Sequence, residues 1–184
     1  MPAVVRDDII FVHIPKASGT SISTWFRNGK KFIGHPKLET LTNMVSGKPF
    51  TFTVVRNPWD RAVSAYHYLF CTPKDTNFQA YIDKGVPTFD EFIKSLKNVK
   101  VDEVWFDGTT QQGEWFKSGV DLVIKFENLN EEFKVIQDML GDHRPLPHHN
   151  KSEHGNYRGY FTDETRDIIG NLFINDIHTF NYSF

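Results

Sequence analysis

The chain has 184 residues, 24% of them charged and 39% hydrophobic, with 21 Lys and Arg against 23 Asp and Glu and a formal net charge of −2. That length fits a single domain, residues 1–184, whose core needs no covalent staples, and the near-neutral balance excludes general binding of nucleic acid or an anionic membrane by the whole surface. Its one cysteine, Cys71, excludes an internal disulfide framework.

No run of about 18 apolar residues offers a membrane span. Acidic residues interrupt the N-terminal MPAVVRDDIIFV where a secretory signal needs an unbroken apolar stretch, so the expected location is cytoplasmic. The first informative stretch is DDIIFVHIPKASGTSISTWF, Asp7 to Phe26. It predicts a strand (Ile9, Ile10, Phe11, Val12, Ile14), a short loop from Pro15 to Ser21, and a helix with Ile22, Trp25 and Phe26 on its apolar face. Small residues in the loop keep side chains off the backbone. N–H groups at a helix start, with the positive end of the dipole behind them, form an anion site, and Lys16 adds a full charge. Lys16 lies three residues before the loop's only glycine, unlike the triphosphate loop in which Lys follows the second Gly. An ordinary strand-to-helix turn would share this pattern. His13, inside the strand, reads as a packed and hydrogen-bonded residue rather than a catalyst.

Lys30 to His35 predicts a short strand ending at a polar residue, and Pro36 to about Val45 a loop or helical piece. Pro49 to Val55 has strand composition and stops at Arg56-Asn57-Pro58, with Asn57 as N-cap and Pro58 as first helical residue. The following helix carries Trp59, Val63, Tyr66 and Phe70 on an apolar stripe, and Asp60, Arg61 and Ser64 together on another, surface face. Arg56 at the strand end and Ser64 two turns into the helix can reach one anion; a capped helix with surface charges is the alternative.

Thr88-x-x-Glu91 is a capping box opening a helix to about residue 97. Trp105 to Lys117 is assigned to helix, Val120 to Phe126 to a buried strand, and Asn128-x-x-Glu131 to the start of a helix burying Leu129, Phe133, Ile136 and Leu140. Gly141 to Tyr160, rich in Pro, His, Gly and Asn, reads as a long loop. Its histidines, His143, His148, His149 and His154, match no familiar metal spacing and read as solvated. Thr162-Asp163-Glu164 begins the last helix, burying Ile168, Ile169, Leu172, Phe173 and Ile177, and the aromatics of Phe180 to Phe184 should dock.

HIPKASGTS resembles the 5′-phosphosulfate-binding loop of sulfotransferases that use 3′-phosphoadenosine 5′-phosphosulfate (PAPS). RNPWDRAVSAY resembles their 3′-phosphate motif, including the Arg-to-Ser interval of eight residues. FENL, LPHHNKS and DIHTFNYSF fall in the family's order, so from about Ile9 to Phe184 the chain resembles the carbohydrate-type branch. The resemblance implies an α/β fold: a single domain with a central parallel sheet flanked by helices and P-loop-like sulfotransferase topology. The alternation of strand and helix agrees independently, and both motifs sit beyond strand carboxyl ends, where such sheets bind ligands.

Carried over by position, the resemblance implies that Lys16, Ala17, Ser18, Gly19, Thr20 and Ser21 hold the 5′-phosphosulfate and that Arg56 and Ser64 hold the 3′-phosphate. It also implies that Lys151, Ser152 and Tyr157, in the loop before the last helix, contact the nucleotide, with either Tyr157 or Arg158 near the adenine. Asn150-Lys151-Ser152 stands where relatives carry Arg-Lys-Gly. His35, about twenty residues before Arg56-Asn57-Pro58, resembles the family's catalytic His, and its type suits a general base at neutral pH; Glu39 is the reserve, and hydrogen bonding to a loop carbonyl is the bland alternative.

The expected reaction moves a sulfuryl group from PAPS to a hydroxyl or amine acceptor, a sugar or small metabolite, releasing PAP and demanding no metal. Lys16 would stabilise charge on the departing oxygen. An ATP-dependent small-molecule kinase and a non-catalytic adenine-nucleotide-binding module are the competing readings. Oligomeric state is not fixed by the sequence.

Overall fold

The computed structural model describes residues 3–26, 30–32, 34–71, 86–98, 110–147 and 155–184. Five strands, β1 (Ala3–Val5), β2 (Ile9–Val12), β3 (Lys30–Phe32), β4 (Phe50–Val55) and β5 (Leu122–Lys125), form one sheet in the order β3-β1-β2-β4-β5. β4 runs parallel to both β2 and β5, while β1 runs antiparallel to β2 and β3. The expected parallel sheet is therefore its β2-β4-β5 half, with an antiparallel edge. The sequence gives no sign of β1, because a three-residue strand carries no period. It is set by a turn in which the Arg6 N–H donates to the Ile9 carbonyl at 2.9 Å and its guanidinium grips Asp8.

The helices are α1 (Gly19–Trp25), α2 (Leu38–Thr42), α3 (Pro58–Tyr66), α4 (Phe89–Ser95), α5 (Leu129–Glu132), α6 (Lys134–Leu140), α7 (Asp163–Leu172) and α8 (Ile174–Thr179). The residues group into two compact units, Met1–Arg56 with Gln112–Lys151, and Asn57–Gln111 with Ser152–Phe184. The first holds the sheet. β2 is buried along its whole length, as a parallel strand covered on both faces must be. Its core continues through Trp25 and Phe52, whose rings stand 5.1 and 6.3 Å from that of Phe133. Asn128 does not cap α5. Instead the Glu132 carboxylate accepts from the Lys125 N–H at 2.8 Å and from the Asn128 amide at 3.1 Å.

The second unit packs Trp59 and Val63 of α3, Phe92 and Ile93 of α4, and Ile168 and Ile169 of α7 around one core. Asn57 caps α3, its Oδ1 accepting from the Trp59 N–H at 3.0 Å with Pro58 behind it, as its sequence predicts. The Thr88–Glu91 capping box is present, and α7 opens on a second box closed by Thr165. Phe184 docks edge-on against Trp59 at 5.5 Å and Phe161 at 5.7 Å. Two expectations are corrected. Arg61 and Ser64, 1% and 5% exposed, are buried rather than on a surface face, with Arg61 Nη1 donating to the Thr110 carbonyl at 3.1 Å. Trp105 to Lys117 is not an α-helix where it is described: a 3₁₀ turn spans Gln112–Trp115, and residues 105–109 lie outside the described residues.

The parallel register of β4 and β5 is pinned at its amino end by Thr51 and Asp121. The Asp121 carboxylate accepts from the Thr51 N–H and hydroxyl, both at 2.8 Å, while the Asp121 N–H donates to the Thr51 carbonyl at 3.0 Å. The Thr51 N–H, then its hydroxyl, hold the carboxyl below its ordinary 3.8. A depressed pKa contributes stability above the unfolded value that is lost as pH falls through the folded one. Asp121→Asn is expected to destabilise by about 1 kcal/mol near neutral pH, a modest figure because the carboxylate is solvent-exposed. Urea unfolding of both proteins at falling pH should show the gap closing in the acid range; a gap that persists there contradicts the clamp.

Candidate active site

β2 delivers the chain into Pro15–Ser18, where Lys16 and Ser18 both take left-handed backbone, with φ of 66° and 59°. Each non-glycine residue held there costs about 1–2 kcal/mol. Left-handed residues in a turn can direct main-chain N–H groups toward an anion, while the Ala17 N–H between them donates back to the Ile14 carbonyl at 3.3 Å. Ser18 precedes α1 without capping it through its side chain. Ala17, Gly19 and Ser21 are buried, whereas Lys16, Ser18 and Thr20 are half-buried.

Gly19 is required by close approach. A Cβ built there would stand 1.7 Å from Nε2 of His13, so the imidazole occupies the volume any side chain would need. His13 is 3% exposed and its ring centroid lies 4.4 Å from that of His35. It is thus packed, as the sequence suggests, although it stands one residue past the end of β2. Its carbonyl lies 3.1 Å from Nδ1 of His35. A carbonyl only accepts, so Nδ1 carries the proton and Nε2 is the basic nitrogen of the neutral ring. The carbonyl contact foreseen as the bland alternative for His35 is present, and it selects the tautomer a base needs. Glu39 is less suited: it is exposed, and its own backbone N–H, aided by the Ser118 hydroxyl 3.1 Å away, holds its carboxyl below the usual range.

Arg56 follows the last residue of β4 and is 7% exposed. Its Nη1 donates to the Lys16 carbonyl at 3.1 Å, and its guanidinium lies 4.1 Å above the Phe126 ring centroid. The fold therefore brings the Lys16 loop and Arg56 into contact. The residue that sequence reasoning missed is Gln112, fully buried, whose side-chain amide holds the Arg56 main chain at both its N–H and its carbonyl. Only its place in an aromatic stretch, ambiguous between helix and loop, could have drawn notice.

In the other unit, Ser64 sits on α3, 5% exposed. The Tyr157 hydroxyl lies 3.5 Å from the amide of Asn57, the residue after Arg56, and the Arg158 guanidinium stands 4.9 Å from the Tyr157 ring. Lys151 and Ser152, with His148, His149 and His154, lie outside the described residues. His143 is exposed and 3.5 Å from Asp138. Among the described residues no three His, Cys, Asp or Glu side chains group as metal ligands, and no helix is long and apolar enough to cross a membrane.

A sequence profile described as the sulfotransferase family matches residues 4–183. No curated protein matches the chain. Among solved structures, mouse sulfotransferase SULT7A1 in complex with PAP superposes with a TM-score of 0.55 at 18% identity, over 95% of this chain and 86% of that one. At that identity the likeness is one of fold.

The His13–Gly19 contact predicts non-additivity. Gly19→Ala alone should destabilise by about 1–3 kcal/mol through overpacking, and in the His13→Ala background its cost should shrink by about 0.5–3 kcal/mol because the colliding ring is gone. Urea unfolding of the two single variants and the double variant measures this. Strict additivity would show that the two residues do not share the space.

Proposed function

The chain belongs to the sulfotransferase family, and from that premise we propose that residues 1–184 act as one domain transferring a sulfuryl group from PAPS to a hydroxyl or amine acceptor. The single observation that carries the reading is the Arg56 guanidinium bonded to the Lys16 carbonyl at 3.1 Å: the two motifs that would grip opposite ends of a doubly anionic nucleotide are joined at the carboxyl ends of β2 and β4. The PAP named in the mouse structure supports the same donor.

In this reading Lys16, Ala17, Ser18, Gly19, Thr20 and Ser21 hold the 5′-phosphosulfate, the Lys16 ammonium supplying a full charge. Arg56 and Ser64, eight residues apart in the motif, hold the 3′-phosphate, and a guanidinium suits that role because it offers several donors in one plane. Tyr157, with Lys151 and Ser152, completes the nucleotide side. His35 Nε2 takes the acceptor's proton as the acceptor oxygen or nitrogen attacks sulfur in line. The bond from sulfur to the bridging phosphate oxygen breaks, and PAP leaves with both electrons. Lys16 follows the charge that gathers on that oxygen. A sugar hydroxyl is the acceptor the family resemblance favours.

Isothermal calorimetry with PAP, then transfer of labelled sulfate from PAPS into a panel of sugars and small metabolites, tests the reading; absence of both binding and transfer would reject it. His35→Ala is expected to lower turnover by about 10²–10⁴ while PAP affinity stays nearly intact, and wild-type turnover would exclude His35 as base. Arg56→Ala should cut the preference for PAP over adenosine 5′-monophosphate by about tenfold or more, since a charge-assisted bidentate contact is lost. Equal wild-type affinity for the two nucleotides would exclude the assigned role.

A further inference from the structure

The 3₁₀ turn Gln112–Trp115 lies outside both phosphate motifs, yet its two ends each bind a residue of the proposed site. Gln112 is 0% exposed. Its Oε1 accepts from the Arg56 N–H at 2.9 Å, and its Nε2 donates to the Arg56 carbonyl at 2.9 Å. The β4–β5 register ends at Val55 and Lys125, so the side-chain amide carries the ladder one residue further, with the same donor and acceptor a peptide group would present. Trp115, 4% exposed, donates its Nε1–H to the His35 carbonyl at 3.1 Å. Residues i and i+3 of a 3₁₀ turn eclipse one another. Gln112 and Trp115 therefore project to the same side, and one short turn grips both the strand end that carries Arg56 and the segment that carries His35.

We propose that this turn is a positioning element for the transfer reaction: Gln112 sets the direction from which the Arg56 guanidinium meets the 3′-phosphate, and Trp115 sets the placement of His35 against the acceptor. The proposal rests on the roles given to Arg56 and His35 above. Neither Gln112 nor Trp115 touches substrate. Each acts through the main chain of the residue it holds, where a displacement of about 1 Å costs up to about 10²-fold in rate.

The two ends have separate readouts. Gln112→Asn shortens the amide so that it cannot span both Arg56 groups, and Gln112→Glu keeps the length but sets an oxygen against the Arg56 carbonyl. Trp115→Phe keeps the buried ring and removes the N–H. In calorimetry with PAP and adenosine 5′-monophosphate, the Gln112 variants are expected to lose about tenfold of the preference for PAP while binding the monophosphate within about twofold of wild type. In transfer assays with labelled PAPS, Trp115→Phe is expected to lower kcat about tenfold at unchanged PAP affinity. A parallel loss of both nucleotide affinities in the Gln112 variants overturns the proposal, as does their unfolding together with wild-type kcat in Trp115→Phe. A preference for PAP abolished by Arg56→Ala but kept in the Gln112 variants refutes this proposal alone. No preference for PAP in the wild type removes the role of Arg56 and the proposal with it.

Discussion

The arrangement of the first unit depends on the register of parallel strands. β2 pairs with β4 so that Val12 stands opposite Thr53, and the Thr53 hydroxyl donates to the Val12 carbonyl at 2.8 Å. Continued past the end of the strand, that register sets Pro15 level with Arg56, and the Arg56 guanidinium reaches the next carbonyl, that of Lys16. On its other side β4 pairs with β5 so that Val55 faces Lys125. The next residues along, Arg56 and Phe126, are then neighbours, and the guanidinium lies over the ring. A slip of one residue in either pairing would turn the side chains to the opposite face of the sheet and undo both contacts. Thr51 and Asp121, at the far end of the same strands, therefore help to set the geometry of groups several residues away.

The loop between β2 and α1 stores strain that its surroundings must hold. Two non-glycine residues in left-handed backbone cost about 2–4 kcal/mol together, an expense unexplained by chain reversal, which a glycine at either place would achieve more cheaply. The sole glycine stands elsewhere, at residue 19, and is set by the His13 imidazole rather than by its own φ. The loop is thus fixed by its neighbours: the ring of His13 against Gly19 and the guanidinium of Arg56 on the Lys16 carbonyl. A cradle of this kind is preorganised, which is what electrostatic stabilisation of developing charge requires.

Much of this was legible in the sequence because local chemistry dictates it. Asn57-Pro58 is a cap followed by a first-turn proline whatever the tertiary context, and Thr88-x-x-Glu91 satisfies two orphan donors reciprocally. The strands before Lys16 and Arg56 were readable as apolar runs ended by turn residues. What escaped were decisions made by distant parts of the chain. β1 exists only as a partner for β2 and β3. Arg61 looks like a surface charge on a helical wheel, and the partners that make its burial tolerable, the Thr110 carbonyl 49 residues on and the Phe173 ring 5.7 Å away among them, lie far along the chain. Gln112 is opaque for the same reason: nothing near it in sequence reveals that its amide is spent on Arg56. Asn128 shows the converse, a favourable N-cap residue whose side chain makes no cap bond and donates instead to the Glu132 carboxylate.

Proton handling at the proposed site follows from one carbonyl. While the His13 carbonyl accepts from Nδ1 of His35, any proton taken from an acceptor must arrive on Nε2. The ring then becomes a cation, and the same Nδ1–H bond becomes charge-assisted and stronger. The carbonyl thus stabilises the state that exists only after proton transfer, more than the state before it, which is the direction catalysis needs. The His13 ring, with its centroid 4.4 Å from that of His35, packs beside the imidazole whose Nδ1 its own carbonyl holds, so main chain and side chain of one residue fix the orientation of the other.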